Sequence, residues 1–279
     1  MDLPEIRKHI DAIDSQIVAL LNDRARRVAE VGHLKKASGR EIYAPEREAA
    51  LLRKLCALNK GPIKNESLRA IYREIMSSAI SLEKDIAIAF LGPVRSPSHQ
   101  AAIAKFGKSL RYLQEKSLST IFDRVRARKA DYGVVPIETV GDGTVSHTLD
   151  LFAESPLKIC AEIVTAQNAA AKKPHHMARF YVIGRVSPPP TGHDQTSLLF
   201  SLPDQPGRLA QALAVLSSYK INLLKIESRP SWRQGFKYHF FIKIAGHAEE
   251  PIVSKSLAKM SSLCSALQIL GSYPESFEG

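Results

Sequence analysis

The chemistry of this chain is expected first from two cations in an otherwise apolar helical seam. Ile6, Ile10, Ile13, Ile17, Leu20, Arg24, Arg27, Val31 and Leu34 recur at alternating spacings of four and three, so they share one face of a single long helix. Arg24 stands where that repeat calls for Leu or Ile. Burying an unpaired guanidinium is costly, so a cation at such a position implies an anionic partner, either a protein carboxylate or a ligand. Lys35 lies three turns further on and projects from nearly the same face, about 16 Å along the axis. Glu48 and Glu83, on the next two helices, can reach the same space. Two cations and two carboxyls converging inside a helical bundle suit a small dianion that carries a hydroxyl or an ether. Snorkelling Arg and Lys at seam edges are the competing explanation, the stronger one for any single residue. Arg7 is on a similar face but about 26 Å from Arg24 and about 42 Å from Lys35 by helical rise. It can serve their cavity only from an antiparallel second chain, which predicts a homodimer with two composite sites.

Three unequal helices must hold these side chains. The first is capped by Asp2, with Pro4 and Glu5 in its first turn, and ends at Ser38-Gly39. A second spans 45–58, and a third 66–84 after the Asn59-Lys60-Gly61-Pro62 break. From Asp85 short β-branched runs alternate with helical stretches. Strands are expected at 86–91, 110–114, 132–137, 157–164 and 179–183, and helices at 98–106, 118–128 and 145–152, which describes an α/β layer. Residues 169–176 look like a connector, and Ser187-Pro188-Pro189-Pro190-Thr191-Gly192 is a stiff linker. A βαββαβ order follows it, the pattern of a ferredoxin-like layer. The fold class expected is multidomain, α plus α/β, with units at 1–86, 87–186 and 194–279 and a Pro-rich linker at 187–193. Each unit is expected to have its own core.

Composition narrows the partners. The chain has 279 residues and a net charge of +11. That excess divides as +3, +6 and +2 over 1–86, 87–193 and 194–279, so it is spread out, which suits a small anionic substrate at least as well as nucleic acid. No nucleic-acid or membrane partner is expected. No apolar run approaches the roughly 20 residues of a membrane helix, and Met1-Asp2-Leu3-Pro4-Glu5 lacks a signal peptide's opening, so a cytoplasmic location is expected. Cys56, Cys160 and Cys264 form no metal or disulfide pattern, and neither a metal nor another cofactor is expected.

Arg7 in IRKHIDAID, Arg24 in LLNDRARRVAEVG, Lys35 in VGHLKKA and Glu48 in YAPERE resemble the all-helical chorismate mutase family. The resemblance implies that Arg24 and a partner chain's Arg7 bind the two carboxylates of chorismate. It gives Lys35 the ether oxygen and a carboxylate, and Glu48 the ring hydroxyl. Glu83 stands where the family has glutamine, Ala79 where it has serine, and Ala44 where it has aspartate. The reaction implied, chorismate to prephenate, is a unimolecular rearrangement needing no nucleophile or metal, so positioning and charge stabilisation suffice. Glu83 can help only as a neutral donor. Activity is therefore expected to fall as pH rises through its titration, and Glu83→Gln to remove that fall.

The stretches around Gly92-Pro93, Ser98-His99-Gln100 and 131–138 resemble the first lobe of prephenate dehydratase. Only residues 165–178 then separate Val164 from Arg179-Phe180, too few for that family's second lobe. Ala178 stands where its Thr-Arg-Phe motif has threonine, Pro93-Val94-Arg95-Ser96-Pro97 replaces a Glu-containing loop, and Thr139-Val140-Gly141-Asp142 replaces an Asn-Ser/Thr-Thr-Glu run. A truncated lobe without dehydratase activity is expected. The last unit resembles an ACT domain through Asp204-Gln205-Pro206-Gly207-Arg208-Leu209 and Glu227-Ser228-Arg229-Pro230. That resemblance implies phenylalanine as an effector, held by Asp204, Pro206, Gly207, Arg208, Leu209, Asn222, Leu223, Glu227, Ser228, Arg229 and Pro230. Leu224 stands where that family usually has threonine. The order of the three units is that of the bifunctional mutase–dehydratase family. Rival readings are a fully bifunctional enzyme, a non-catalytic amino-acid sensor that binds another enzyme of the same pathway, a nucleic-acid binder and a lyase acting on isochorismate.

Overall fold

A computed structural model of the chain describes residues 2–37, 43–139, 143–166, 177–230 and 238–276. The first helix, α1 (Leu3–Ala37), forms at the length its repeat predicts, about 52 Å at 1.5 Å per residue. Asp2 caps it in a reciprocal box: its carboxylate accepts from the Glu5 amide at 2.9 Å, and the Glu5 carboxylate accepts from the Asp2 amide at 3.1 Å. Two shorter helices follow, α2 (Pro45–Leu58), opened by proline where its missing N–H costs nothing, and α3 (Asn65–Glu83).

The α/β lobe comprises β1 (Ala87–Leu91), α4 (Pro97–Phe106), β2 (Arg111–Glu115), α5 (Leu118–Arg126), β3 (Tyr132–Thr139), β4 (Gly143–Thr144), α6 (Ser146–Glu154), β5 (Lys158–Ala166) and β6 (Met177–Gly184). Its sheet runs β2-β1-β3-β6-β5, with β4 paired on β3. The β1 pairings are parallel, whereas β6 lies antiparallel between β3 and β5. Only residues 167–176 join β5 to β6, and they lie outside the described residues, as therefore does the whole connector expected at 169–176, His175 and His176 included. Both strands belong to one sheet, so the lobe is single.

The C-terminal domain is β7 (Asp194–Ser201), α7 (Arg208–Ser218), β8 (Leu223–Pro230), β9 (Tyr238–Ala245), α8 (Pro251–Ser261) and β10 (Ala266–Pro274). Its antiparallel sheet has the order β10-β7-β9-β8, the ferredoxin-like arrangement read from the sequence. The segment before it is not a free spacer. Pro188 is buried, and its carbonyl lies 3.0 Å from Nε2 of the buried His247.

The expectation of one core per unit is corrected. One apolar cluster fills the space between the α/β sheet and the C-terminal sheet, joining Phe152, Ile159 and Tyr181 to Phe241, Leu270 and Tyr273. A second lies under α4 and takes in Tyr43 from the helical unit. The third is packed beneath α7 and α8. The N-terminal helices have no such cluster of their own among the described residues. Ile6, Ile10, Ile13, Ile17 and Leu20 are 42–67% exposed, so the seam does not pack along its length within one chain. Apolar spacing is legible in one sequence, but what covers it is not.

Candidate functional site

The close approach of α1 to α3 is built on Gly32. A Cβ there would stand 2.8 Å from Cγ of Glu83 and 3.2 Å from its Oε2, so only glycine leaves room for that buried carboxyl. Arg24 is half-buried two turns earlier on α1, and Arg7 is exposed near its start. Lys35, half-buried, lines a cavity of about 790 Å3 together with Val31, Leu34, Tyr43 and Glu46. Burial pushes the Glu46 carboxyl up, against the opposing pull of its own backbone hydrogen bond and of Lys35.

Glu48 lies elsewhere. Its Oε1 is 2.9 Å from Nζ of Lys105 on α4, in a neighbouring cavity of about 310 Å3 that also takes in Arg69 and Arg73 of α3. Within one chain, therefore, Lys35 and Glu46 face one space and Glu48 another. The Glu48–Lys105 pair had no signal in the sequence, because it joins residues 57 apart across two units.

The helical unit is fastened to the lobe by further polar contacts. Glu74 and Ser77 accept the amides of Lys108 and Ser109 at 3.1 Å each, and Lys84 pairs with Asp131 at 2.5 Å. Tyr43 packs among Phe106 and Tyr132 with ring centroids 4.9 and 5.2 Å away.

Between lobe and C-terminal domain sits a charged network around Glu162. Nζ of Lys243 donates to both carboxylate oxygens at 2.8 and 2.9 Å, and Gln195 donates at 3.0 Å. Arg179, the arginine of the altered Ala178-Arg179-Phe180 motif, reaches Glu162 at 3.3 Å and Glu138 at 3.1 Å. Lys225 also pairs with Glu138. These charges line a cavity of about 750 Å3, and the C-terminal domain supplies both lysines.

The residues expected to hold an effector are split. Gly207, in the left-handed region at φ 79°, opens α7 after Asp204 and Pro206. Arg208 bonds Gln205 at 3.0 Å and Gln211 at 3.4 Å, and Leu209 packs on the domain core. Asn222 and Leu223 line a separate cavity of about 350 Å3 with Lys220. Glu227 accepts from Thr144 at 3.0 Å and Arg229 pairs with Asp150 at 3.4 Å, so both face the lobe, while Ser228 and Pro230 are exposed. Among the described residues no group of three or more His, Cys, Asp or Glu could hold a metal ion, and no helix is long and apolar enough to cross a membrane.

Known proteins match this architecture unit by unit. Residues 6–84 match chorismate mutase type II, 88–173 prephenate dehydratase and 196–261 the ACT domain. The bifunctional chorismate mutase/prephenate dehydratase of Aquifex aeolicus is 35% identical, with 98% of each chain covered. Its counterpart in Stutzerimonas stutzeri is 31% identical at the same coverage. The Aquifex alignment runs over 355 positions, more than the 279 residues present here, so part of that relative has no counterpart. The prephenate dehydratase structure from Streptococcus mutans superposes with a TM-score of 0.58 at 29% identity, covering 67% of this chain and 97% of that one. With all three unit types present, in the relatives' order and across nearly their whole length, the chain belongs to the bifunctional chorismate mutase/prephenate dehydratase family.

Proposed function

We propose that this chain is a cytosolic chorismate mutase that works as a homodimer, makes prephenate and does not dehydrate it. The observation that carries the reading is the cation-bearing α1, whose apolar seam is exposed in one chain and whose unit has no core of its own among the described residues. A second copy laid antiparallel covers that seam and carries its Arg7 towards Arg24 and Lys35. The two arginines bind the substrate's carboxylates and hold it folded. Lys35 stabilises negative charge growing on the ether oxygen, and Glu83 assists as a neutral donor. Glu48, which pairs with Lys105 and faces a different cavity within one chain, is left out of this site.

The absence of dehydration is supported by the middle of the chain. Arg179 is occupied by Glu138 and Glu162, Ala178 offers no hydroxyl, and the C-terminal domain's lysines cover the same acids. The turn at Gly207 and the edge strand β8 are proposed to bind phenylalanine as an effector between paired C-terminal domains. The bifunctional naming of the relatives favours a second reading, in which dehydration persists.

Chorismate turnover with product analysis tests both. Prephenate accumulating without phenylpyruvate is the expected outcome, and phenylpyruvate would establish the second reading. Arg24→Ala is expected to lower kcat/KM at least a hundredfold, about 2.7 kcal/mol of transition-state stabilisation, with circular dichroism unchanged. Unaltered turnover would move the site away from α1.

A further inference from the structure

Gly32 is the only buried residue of α1 among those described, and a glycine inside a helix is unfavourable enough to need a reason. The three atoms nearest to a Cβ built there all belong to one side chain, that of Glu83: Cγ at 2.8 Å, Cβ at 3.2 Å and Oε2 at 3.2 Å. The first of these is closer than carbon atoms tolerate, so a methyl group would displace the glutamate. Cγ is bonded directly to Cβ, and it moves aside mainly by rotation about χ1, which swings the whole carboxyl with it. Glu83 is the last residue of α3 and is buried, so its carboxyl has little room in which to be re-aimed. On α1, Gly32 stands about 12 Å beyond Arg24 and about 4.5 Å before Lys35 by helical rise. The two cations fall about 20° apart around the axis, and Gly32 lies roughly 60–80° to their side. Glu83 is therefore seated on the flank of the cation-bearing face, at a level between Arg24 and Lys35.

We propose that Gly32 is a positioning residue for the mutase reaction: by leaving its Cβ space to Glu83, it fixes where that carboxyl stands beside the Arg24 and Lys35 face. The inference rests on the mutase reading and on Glu83 as a donor, and adds to them the residue that aims the donor. Catalytic groups act only when held within about 0.5 Å of the productive geometry. Here the missing methyl group of one residue provides that precision, because it lets α3 bring its last side chain against α1.

A double-mutant cycle on the full chain, with chorismate as substrate, is the decisive experiment. Gly32→Ala is expected to lower kcat about tenfold with KM within about twofold of wild type, because the cations that bind the substrate are untouched. In a Glu83→Ala background, where Cγ and the carboxyl are gone, the same substitution is expected to change kcat by less than about twofold. Thermal melting and sedimentation of each variant show whether fold and pairing are retained. An unchanged kcat in Gly32→Ala, or equal losses in the two backgrounds, overturns the proposal, since the glycine would then act on the helix or on chain pairing. A Gly32→Ala chain that is unfolded at the assay temperature also overturns it, because the glycine would then serve folding. If Glu83→Ala keeps wild-type turnover while Arg24→Ala is inactive, Glu83 is not the donor, the positioning role falls and the mutase reading stands. No turnover by the wild-type chain would overturn both.

Discussion

Glu46 and Glu48 show how two carboxyls on one helical turn acquire different roles. Glu48 has a lysine at 2.9 Å, whereas Glu46 is half-buried beside the Lys35 cavity and its pKa is raised by that burial. A raised carboxyl binds its proton more tightly in the folded chain than in the unfolded one, so its contribution favours folding while protonated. That contribution is lost as pH rises from the ordinary value of 4.5 through the raised one. Glu46→Gln cannot ionise, so its melting temperature should gain on that of the wild type as pH increases through this window. A constant difference across a scanning-fluorimetry pH series would contradict it. Arg24 stood out in the sequence because it interrupts an apolar repeat, and Lys35 because it projects from nearly the same face three turns on. The burial of Tyr43 gave no such signal, because Phe106 and Tyr132, the rings it packs against, lie far along the chain.

Among the elements, α1 is the one whose form and packing separate most clearly. Its repeat, its Asp2 cap and its length are local properties, and the structure reproduces them. A second chain laid on α1, as proposed, would cover the exposed Ile6, Ile10, Ile13 and Ile17, because an apolar stripe of this length left in water is a strong drive to associate. Ile13, 55% exposed, has no part in any intrachain core. Ile13→Asp should therefore leave the α/β lobe and C-terminal domain folded while shifting the chain from dimer to monomer by sedimentation. Turnover should fall more than tenfold with it, because Arg7 can reach Arg24 only from the other chain. A dimer that persists with full activity would show that α1 is not the interface.

Across the whole molecule, the loss of the second dehydratase lobe is matched by a joint in which the C-terminal sheet lies directly on the first. Gly271 of β10 permits that approach: a Cβ there would fall 2.2 Å from the Ile159 carbonyl oxygen. Lys158 reaches across to the Ile269 carbonyl at 2.7 Å, and Glu162 gathers Lys243, Gln195 and Arg179 at one buried point. Removing one partner of a buried ion pair costs far more than the pair is worth, because the other charge stays desolvated. Lys243→Ala should thus destabilise the chain by about 3 kcal/mol in chemical denaturation. Lys225→Ala, whose partner Glu138 is more exposed and keeps Arg179, should cost about 1 kcal/mol or less. Equal costs would mean that the Glu162 cluster is not the joint.

The order of helices and strands, the single lobe and the ferredoxin-like end were written in the amino-acid sequence, because hydrophobic period, caps and turn residues act over a few neighbours. The shared core, the occupation of Arg179 and the separation of Glu48 from Lys35 were decided only by the tertiary structure. Each depends on residues far apart in the chain meeting across units, and such meetings leave no trace in local spacing.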